Sequence, residues 1–245
     1  MICAMNWVAT VPPDGAPPFA LNDWKYIRGF KEMPKTGPMP DDLARQVKHA
    51  YFACISYVDA QVGKLLGALE SIGANQNTIV VVWSDHGYQL GEHGMWCKHT
   101  NFETSTKVPL IVADPRSAAT GAASDARVEL VDLFPTLADL CNLPKPGHLE
   151  GESFAPLIRQ PDAWKNLDTA AFSQFNRGGH RGISIRTGSF RYTEWRAIKT
   201  GKLVARELYD HEQDPLENTN LAKRLEYADT VDSLATRLRN QFDQP

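Results

Sequence analysis

Several features that would assign this 245-residue sequence to a common class are missing from it. No apolar run approaches the roughly 18 residues of a membrane-spanning helix, which disfavours an integral membrane protein. The formal net charge of −3 gives no support for binding to nucleic acid or to an anionic membrane surface. The four cysteines show no CxxC spacing, so neither a zinc site nor a disulfide framework is predicted. The first residues also lack the basic and apolar regions of a signal peptide.

The composition is that of a globular protein with a real core. Hydrophobic residues make up 42% and charged residues 22% of the chain. Residues 8–40 are rich in proline and glycine, which predicts an irregular segment. Apolar residues at three- and four-residue steps then predict a long helix, which Asp41 opens and Gly73 closes.

Two apolar stretches after this helix predict strands. Residues 78–83 form a continuous apolar run, typical of a strand of a parallel sheet that is covered on both faces. Residues 108–112 predict a second, short strand, and residues 128–140 predict an amphipathic helix that packs on the sheet. We therefore expect an α/β domain over residues 1–158, of which residues 1–40 are irregular.

The pattern changes beyond about residue 155. Short alternating segments separated by glycine and polar turns predict a small antiparallel sheet. These segments are residues 170–175, 182–186, 190–195 and 207–209. Residues 221–242 predict a final helix that covers this sheet. A C-terminal subdomain is therefore expected over residues 159–245.

The stretch 80–99 carries most of the chemical information. Asp85 and His86 come directly after the apolar strand, where the sites of open α/β sheets usually lie. A carboxylate and an imidazole are one hard and one borderline donor, which suits a divalent cation that also binds substrate oxygens. The alternative is that Asp85 caps the turn and His86 makes ordinary hydrogen bonds. The position at a strand end, and the glycines that follow, favour the metal site.

Basic residues supply candidates for binding an anionic substrate. Lys98 lies in the same loop, and a lysine ammonium is a compact charge that neutralises a sulfate or phosphate oxygen. The alternative is a solvated surface lysine. Further along the chain, His180 and Arg181 flank a glycine-rich turn together with Arg177, and they can meet a substrate carboxylate or sulfate. A solvated loop fits these three residues equally well.

The motifs together resemble the type I sulfatase family, most closely its iduronate-2-sulfatase group. The central part of the resemblance is Ser84-Asp85-His86-Gly87-Tyr88-Gln89-Leu90-Gly91-Glu92-His93-Gly94, followed by Trp96 and Lys98. The further matches, in chain order, are Tyr51-Phe52-Ala53, residues 57–63, 108–111, 128–137, 184–187 and 191–193, and Glu207-Leu208-Tyr209-Asp210 with Asp214-Pro215. The resemblance covers most of the chain from about residue 41 onward.

The resemblance implies an alkaline-phosphatase-like α/β core followed by a smaller C-terminal subdomain with a four-stranded antiparallel sheet and a terminal helix. It implies that Asp85 and His86 are calcium ligands and that Lys98 is a catalytic residue that binds the sulfate. The implied activity is hydrolysis of sulfuric esters of sugars or uronates. Its nucleophile is a formylglycine, made from the cysteine of a Cys-x-Pro/Ala-Ser-Arg motif. Members of the family are commonly exported or lysosomal, which is the expected location here.

The sequence departs from the family in the part that supplies the nucleophile. None of its cysteines lies in the required motif; they are Cys3, Cys54, Cys97 and Cys141. The aspartate pair that completes the calcium site is missing too, although calcium takes about six to eight ligands. We therefore expect weak calcium binding and no turnover by this chain alone. A truncated gene model without its N-terminal half is the expected explanation, while a split gene, a decayed copy or a complementing chain also fit.

Two other functions fit part of the sequence. A phosphatase-type member of the same superfamily would use a threonine or serine nucleophile, and it would need more histidine ligands than these motifs offer. A non-catalytic remnant would bind sulfated glycans or a complementing partner without cleaving them. For an active sulfatase and for a non-catalytic remnant alike, the expected ligand is a sulfated saccharide or uronate. Neither nucleic acid nor a membrane is an expected partner.

Overall fold

The computed structural model describes residues 11–165 and 167–242. Its helices and strands are, in chain order, α1 (Lys25–Arg28), α2 (Asp41–Ser71), β1 (Val80–Trp83), α3 (Glu103–Thr106), β2 (Leu110–Ala113), α4 (Leu133–Leu140), α5 (Ala155–Arg159), β3 (Ala171–Arg177), β4 (His180–Arg186), β5 (Phe190–Ala197), β6 (Leu203–Asp210) and α6 (Ala228–Phe242). Residues 11–40 are irregular as predicted, apart from short helical turns such as α1, and residues 1–10 of the predicted segment lie outside the described residues. The long helix is confirmed, and Gly73 follows it with a φ of 70°.

The chain divides into two compact units. The first, called the sheet unit here, contains the described residues up to Ala44, His86–Lys107, and those from Ala170 onward. The second, called the helix unit, contains Arg45–Asp85 and Val108–Thr169. The expected division into residues 1–158 and 159–245 stays a prediction. The loop 86–107 belongs with the antiparallel sheet because its side chains pack and pair there.

The sheet unit contains the predicted antiparallel sheet and its covering helix. The four strands lie in the order β3-β4-β5-β6, and each neighbouring pair is antiparallel. One face packs against α6 through a buried apolar core that includes Ile185, Tyr192, Leu208, Leu234 and Leu238. The helix begins at Ala228, later than the predicted Leu221, and residues 225–227 form a short 3-10 turn before it.

The opposite face of this sheet packs on the loop 86–107. Side chains alternate between the faces of a strand, so Phe175 and Trp195 lie on this second face, with Tyr209 nearby on β6. Together with Met95 and Phe102 of the loop they form a second apolar cluster of the unit. The loop that carries the chemical motif is therefore supported by a rigid sheet.

The helix unit contains the two other strands. β1 and β2 pair antiparallel, with Val80 opposite Ala113 and Trp83 opposite Leu110. This corrects the expectation of a fully covered parallel strand, since Trp83 is 49% exposed. The apolar pattern predicted a strand, but the same pattern could not predict its pairing partner. An apolar cluster around Leu133, Phe154 and Leu157 forms the core of this unit.

Helix α2 is the least covered element of the helix unit. It has 31 residues, none of which is buried, and at about 1.5 Å per residue it is about 46 Å long. Its large apolar side chains include Val58 at 58% and Leu65 at 68% exposure. Helices of this amphipathic kind normally bury their apolar side. Among the described residues, no helix is both long enough and apolar enough to cross a membrane.

Candidate functional site

The loop after β1 is folded back on itself by backbone hydrogen bonds. Gln89 donates to Cys97 at 2.7 Å, Gly91 donates to Met95 at 2.8 Å, and Gly87 donates to Ser105 at 2.8 Å. At Gly87 a Cβ atom would lie 2.1 Å from the carbonyl oxygen of Thr104. Glycine is therefore required for the close approach of two backbone segments.

Lys98 and His86 meet within the loop. The Lys98 Nζ atom lies 2.6 Å from the His86 Nε2 atom, and the His86 Nδ1 atom lies 2.8 Å from the Gly87 carbonyl oxygen. A carbonyl only accepts, so Nδ1 carries the proton and Nε2 accepts from the ammonium. Both side chains are half-buried. The structure thus pairs the predicted sulfate-binding lysine with one of the two predicted metal ligands.

The two predicted calcium ligands, Asp85 and His86, are successive residues that are assigned to different units. Asp85 is exposed and ends a segment of the helix unit, whereas His86 begins a segment of the sheet unit. The Nε2 lone pair of His86 already accepts from a lysine ammonium. Two protein donors, one of them engaged by a cation, do not by themselves fit calcium. Further ligands would be needed for a calcium site here, and calcium binding by Asp85 and His86 stays a prediction.

The predicted substrate residues of the glycine-rich turn lie on different faces of the sheet. His180 stacks on Phe19, with ring centroids 4.2 Å apart. Arg181 is exposed and lies on the side of β4 that carries Ile183, which packs toward α6. Arg177 shares the face of His180, its partner in the register. The structure does not bring Arg181 together with Lys98, so its substrate role stays a prediction.

Other loop residues of the motif have structural partners. The Glu92 carboxylate accepts from the backbone N–H of Leu90, which holds the loop locally. His93 is buried, and its Nε2 donates to the distant Leu216 carbonyl at 2.7 Å. Cys97 is a buried free thiol that accepts from the side chain of Asn22. Its contacts are those of a packing residue.

A buried ion cluster, which the sequence did not indicate, joins the loop to the sheet. The Glu103 carboxylate accepts from Arg186 at 3.2 Å and also from Arg191. Glu217 accepts from Arg191 Nε at 2.5 Å and from His211 Nε2 at 2.9 Å. The ligand atoms of Glu103, His211 and Glu217 lie within 4.8 Å of one another. Arg191 contacts both carboxylates and Arg186 supplies a second positive charge at Glu103, so the cluster is an ion-pair network.

The arginines of this cluster lower the pKa values of its two carboxyl groups. Burial raises the pKa of Glu217, but the charges of Arg191 and His211 outweigh it and hold the pKa at about 2. Burial likewise opposes ionisation of Glu103, yet Arg191 and Arg186 keep its pKa below the ordinary value. Each strand residue of the cluster looked like an ordinary polar position in the sequence. The network becomes visible only in the three-dimensional structure, where these side chains are in contact.

A second buried carboxyl group lies on the same sheet face. Glu207 accepts from Trp195 Nε1 at 2.5 Å and from the Tyr209 hydroxyl at 2.8 Å. Burial raises its pKa to about 7. Trp195 and Tyr209 belong to the apolar cluster under the loop, so this carboxyl is part of the support of the site.

The class of protein follows from the fold and from comparison with known families. The sulfatase family profile matches residues 13–143. The profile of the N-sulphoglucosamine sulphohydrolase C-terminal region matches residues 91–244. The chain belongs to the sulfatase family, which confirms the resemblance noted in the sequence.

The most similar relatives include iduronate 2-sulfatases. The mouse protein is 31% identical over a region that covers 91% of this chain and 53% of that protein. The human protein is 33% identical, covering 85% of this chain and 51% of its own length. The chain therefore spans about half the length of the relatives it matches.

Solved structures confirm the predicted fold class. One is a complex with the substrate D-glucosamine-2-N,6-O-disulfate, at a TM-score of 0.70 and 31% identity, covering 79% of this chain and 40% of that one. Another is a 2-O glycosaminoglycan sulfatase, at a TM-score of 0.72 and 30% identity, covering 82% and 44%. A phosphonate monoester hydrolase of Agrobacterium radiobacter has a TM-score of 0.71 at 27% identity, covering 81% and 41%. The fold is that of the C-terminal part of an alkaline-phosphatase-like sulfatase.

Proposed function

We propose that this chain is the sulfate-binding C-terminal part of a sulfuric-ester hydrolase, with Lys98 as the residue that binds the sulfate. The observation that carries the proposal is the 2.6 Å contact between Lys98 Nζ and His86 Nε2. An ammonium has three donors, so one directed at the imidazole leaves two for sulfate oxygens. The neutral imidazole fixes the position of the ammonium without cancelling its charge.

Lys98 would act by stabilising negative charge on the sulfuryl group as the ester bond breaks. A fixed cation in a partly desolvated loop stabilises such charge better than water does, because it needs no reorganisation. His86 positions the ammonium through Nε2, and the Gly87 carbonyl holds the His86 ring through Nδ1. These three residues form a connected unit within residues 86–98.

The proposed substrate is a sulfated saccharide or uronate. Its support is similarity to iduronate 2-sulfatases and to a protein solved with D-glucosamine-2-N,6-O-disulfate. The two other candidate functions differ from this one in the ligand or in the absence of cleavage. The phosphonate monoester hydrolase similarity favours a phosphoester-type substrate as the second candidate, and a non-catalytic remnant would bind sulfated glycans without cleaving them.

We further infer that the chain does not turn over substrate alone. Of the described cysteines, Cys97 is buried against Asn22, and none lies in the motif that yields formylglycine. Calcium held by Asp85 and His86 would need further ligands, because two protein donors are few for this ion. Both requirements point to a second polypeptide segment.

The proposed completing segment is the stretch that precedes this region in the relatives. The profile of the C-terminal region matches residues 91–244, and the chain covers 53% of the length of the mouse relative. The uncovered apolar side chains of α2 and of Ile111, which is 60% exposed, are surfaces that such a segment would cover. The thiol of Cys54 on α2 is exposed and reports on this surface.

Ligand binding tests the sulfate site. The chain is titrated with D-glucosamine-2-N,6-O-disulfate and with inorganic sulfate, and Lys98→Met is compared with Lys64→Met, a variant of an exposed lysine on α2. Loss of a charge-assisted contact should weaken binding of both ligands by about tenfold or more in Lys98→Met alone. Equal affinities of the two variants would contradict the proposal. A phosphonate monoester that binds more tightly than the sulfated sugar would favour the second candidate.

A labelling experiment tests the completing segment. The preceding half of the human iduronate 2-sulfatase is refolded with this chain, and the rate of thiol modification at Cys54 is measured by mass spectrometry. Protection of Cys54 is expected only with the folded segment, and the same segment kept in urea is the control. Unchanged reactivity in both mixtures would contradict the docking of such a segment on α2.

A further inference from the structure

An aromatic ring is presented to solvent directly beside the sulfate-binding lysine. His99 follows Lys98 and is exposed. Its ring is nearly parallel to that of Phe175, at an interplanar angle of 11° and a centroid distance of 5.9 Å. The backbone N–H of Thr100 donates to the Lys98 carbonyl at 3.1 Å, which tightens the chain at this point. Lys98 and His99 are thus held as neighbours in a defined turn.

Arg177 holds this ring in place from the sheet. One terminal nitrogen of its guanidinium donates to the His99 carbonyl at 3.0 Å, and the other donates to the Leu21 carbonyl. The guanidinium carbon lies 5.0 Å from the centroid of the Phe175 ring. Because both donors are directed at backbone carbonyls, Arg177 fixes the turn that carries His99 and is a positioning residue.

The sheet provides a rigid base for this arrangement. Phe175 and Arg177 are two positions apart on β3 and therefore lie on one face. Phe175 pairs with Gly182 in the register, and a Cβ atom at Gly182 would lie 2.7 Å from the Trp195 ring. The Trp195 ring therefore lies over Gly182, beside Phe175, in the apolar cluster of this face.

The charge state of His99 suits contact with a neutral part of a ligand. Burial, together with the charges of Lys98 and Arg177, lowers the pKa of His99. The ring is then neutral at pH 7, with one donor and one acceptor nitrogen. A neutral imidazole attracts a free anion weakly, whereas its face and its two nitrogens match the C–H groups and hydroxyls of a sugar ring.

We propose that the exposed ring of His99, backed by Phe175 and fixed by Arg177, is a saccharide platform on which the sugar ring of a sulfated ligand rests while Lys98 holds its sulfate. This inference rests on the proposed function, and it assigns a different task to each of two successive residues. Lys98 recognises the anion, and His99 recognises the sugar that carries it. A ligand without a sugar ring would gain nothing from His99.

The test compares two ligands and three variants. D-Glucosamine-2-N,6-O-disulfate and inorganic sulfate are titrated into the chain and into His99→Ala, His99→Phe and His49→Ala, where His49 is an exposed histidine of α2. His99→Ala should weaken saccharide binding by about tenfold, the effect of losing one good ring contact, and should leave sulfate binding within about twofold. His99→Phe keeps a ring and should retain most of the saccharide affinity. Circular dichroism checks that the variants fold.

Each other outcome is decisive. Equal weakening of both ligands by His99→Ala would show a general effect on the loop and overturn the platform, as would unchanged saccharide binding. If the Lys98→Met variant loses sulfate while His99→Ala changes nothing, only the platform fails. If the unmodified chain binds neither ligand, the proposed function fails and the platform fails with it.

Discussion

Arg191 donates through Nε to the Glu217 carboxylate at 2.5 Å, and the two side chains are only 3% and 1% exposed. The pair lies between the antiparallel sheet and the loop 86–107, because Arg191 also contacts Glu103 of that loop. A buried charge without its partner is strongly unfavourable. The ion cluster therefore ties the loop that carries Lys98 to the sheet.

Removing one charge of this pair should destabilise the fold. Glu217→Gln leaves Arg191 partly unpaired and should lower the free energy of unfolding by about 3–5 kcal/mol. Urea denaturation followed by tryptophan fluorescence measures the change. Glu70→Gln, at an exposed position of α2, is the matched control and should change stability by less than about 0.5 kcal/mol. If Glu217→Gln also lowers the free energy of unfolding by less than about 0.5 kcal/mol, the Arg191–Glu217 pair contributes little to stability.

The same carboxylate predicts sensitivity to acid. The pKa of Glu217 is about 2 in the folded state, against an ordinary value of 4.5. The ionised carboxylate therefore stabilises the folded state fully above pH 4.5. This contribution is lost as the pH falls from 4.5 towards 2. The melting temperature should fall steeply in this window for the unmodified chain and less steeply for Glu217→Gln. Parallel curves for the two proteins would contradict the assignment.

Glu207 predicts a pH dependence of the opposite sign. Its pKa is raised from 4.5 to about 7, so the fold favours the protonated carboxyl group. Its stabilising contribution is complete below pH 4.5 and is lost as the pH rises through about 7. Glu207→Gln keeps a neutral polar group there, and its stability should vary less between pH 4.5 and 7. Thermal melts across this range measure the difference, and an unchanged slope would refute it.

Two glycine substitutions should have opposite effects. Gly87→Ala places a Cβ 2.1 Å from the Thr104 carbonyl oxygen, so the loop must move, at a cost of about 1–3 kcal/mol. Sulfate binding through Lys98 should weaken at the same time. Gly63→Ala lies in α2 with no atom within 4 Å of the new Cβ, and alanine should stabilise that helix by about 0.5–1 kcal/mol. Equal stability changes in denaturant titrations would contradict the close contact at Gly87.

The apolar surface of α2 should promote self-association of the chain when no other segment covers it. Val58→Ser combined with Leu65→Ser removes two exposed apolar side chains, so the melting temperature should change little while association decreases. Light scattering over a concentration series measures the oligomer. Gln61→Ser on the same helix is the control. An oligomer that persists in the double variant would place the association elsewhere.

The sequence predicted most elements because their local patterns are strong. The alternation in β3 to β6, the periodicity of α2 and Gly73 after that helix all depend on neighbours along the chain, and each was confirmed. Lys98 and His86 lie in one short loop, so the sequence could single them out together, and their roles stay predictions. Pairing of β1 with β2 was not predictable, because an apolar run does not specify the direction of its neighbour.

The sequence by itself determined the family, the order of the longer helices and of the strands, and the residue types in the loop after β1. Only the tertiary structure decided that Lys98 contacts His86, that Arg181 faces the other side of the sheet, and that Glu103, Arg191 and Glu217 form one cluster. The physical reason is separation along the chain. Glu103 and Arg191 lie 88 positions apart, and contacts at such distances depend on how the sheet and the loop pack, which no local pattern encodes.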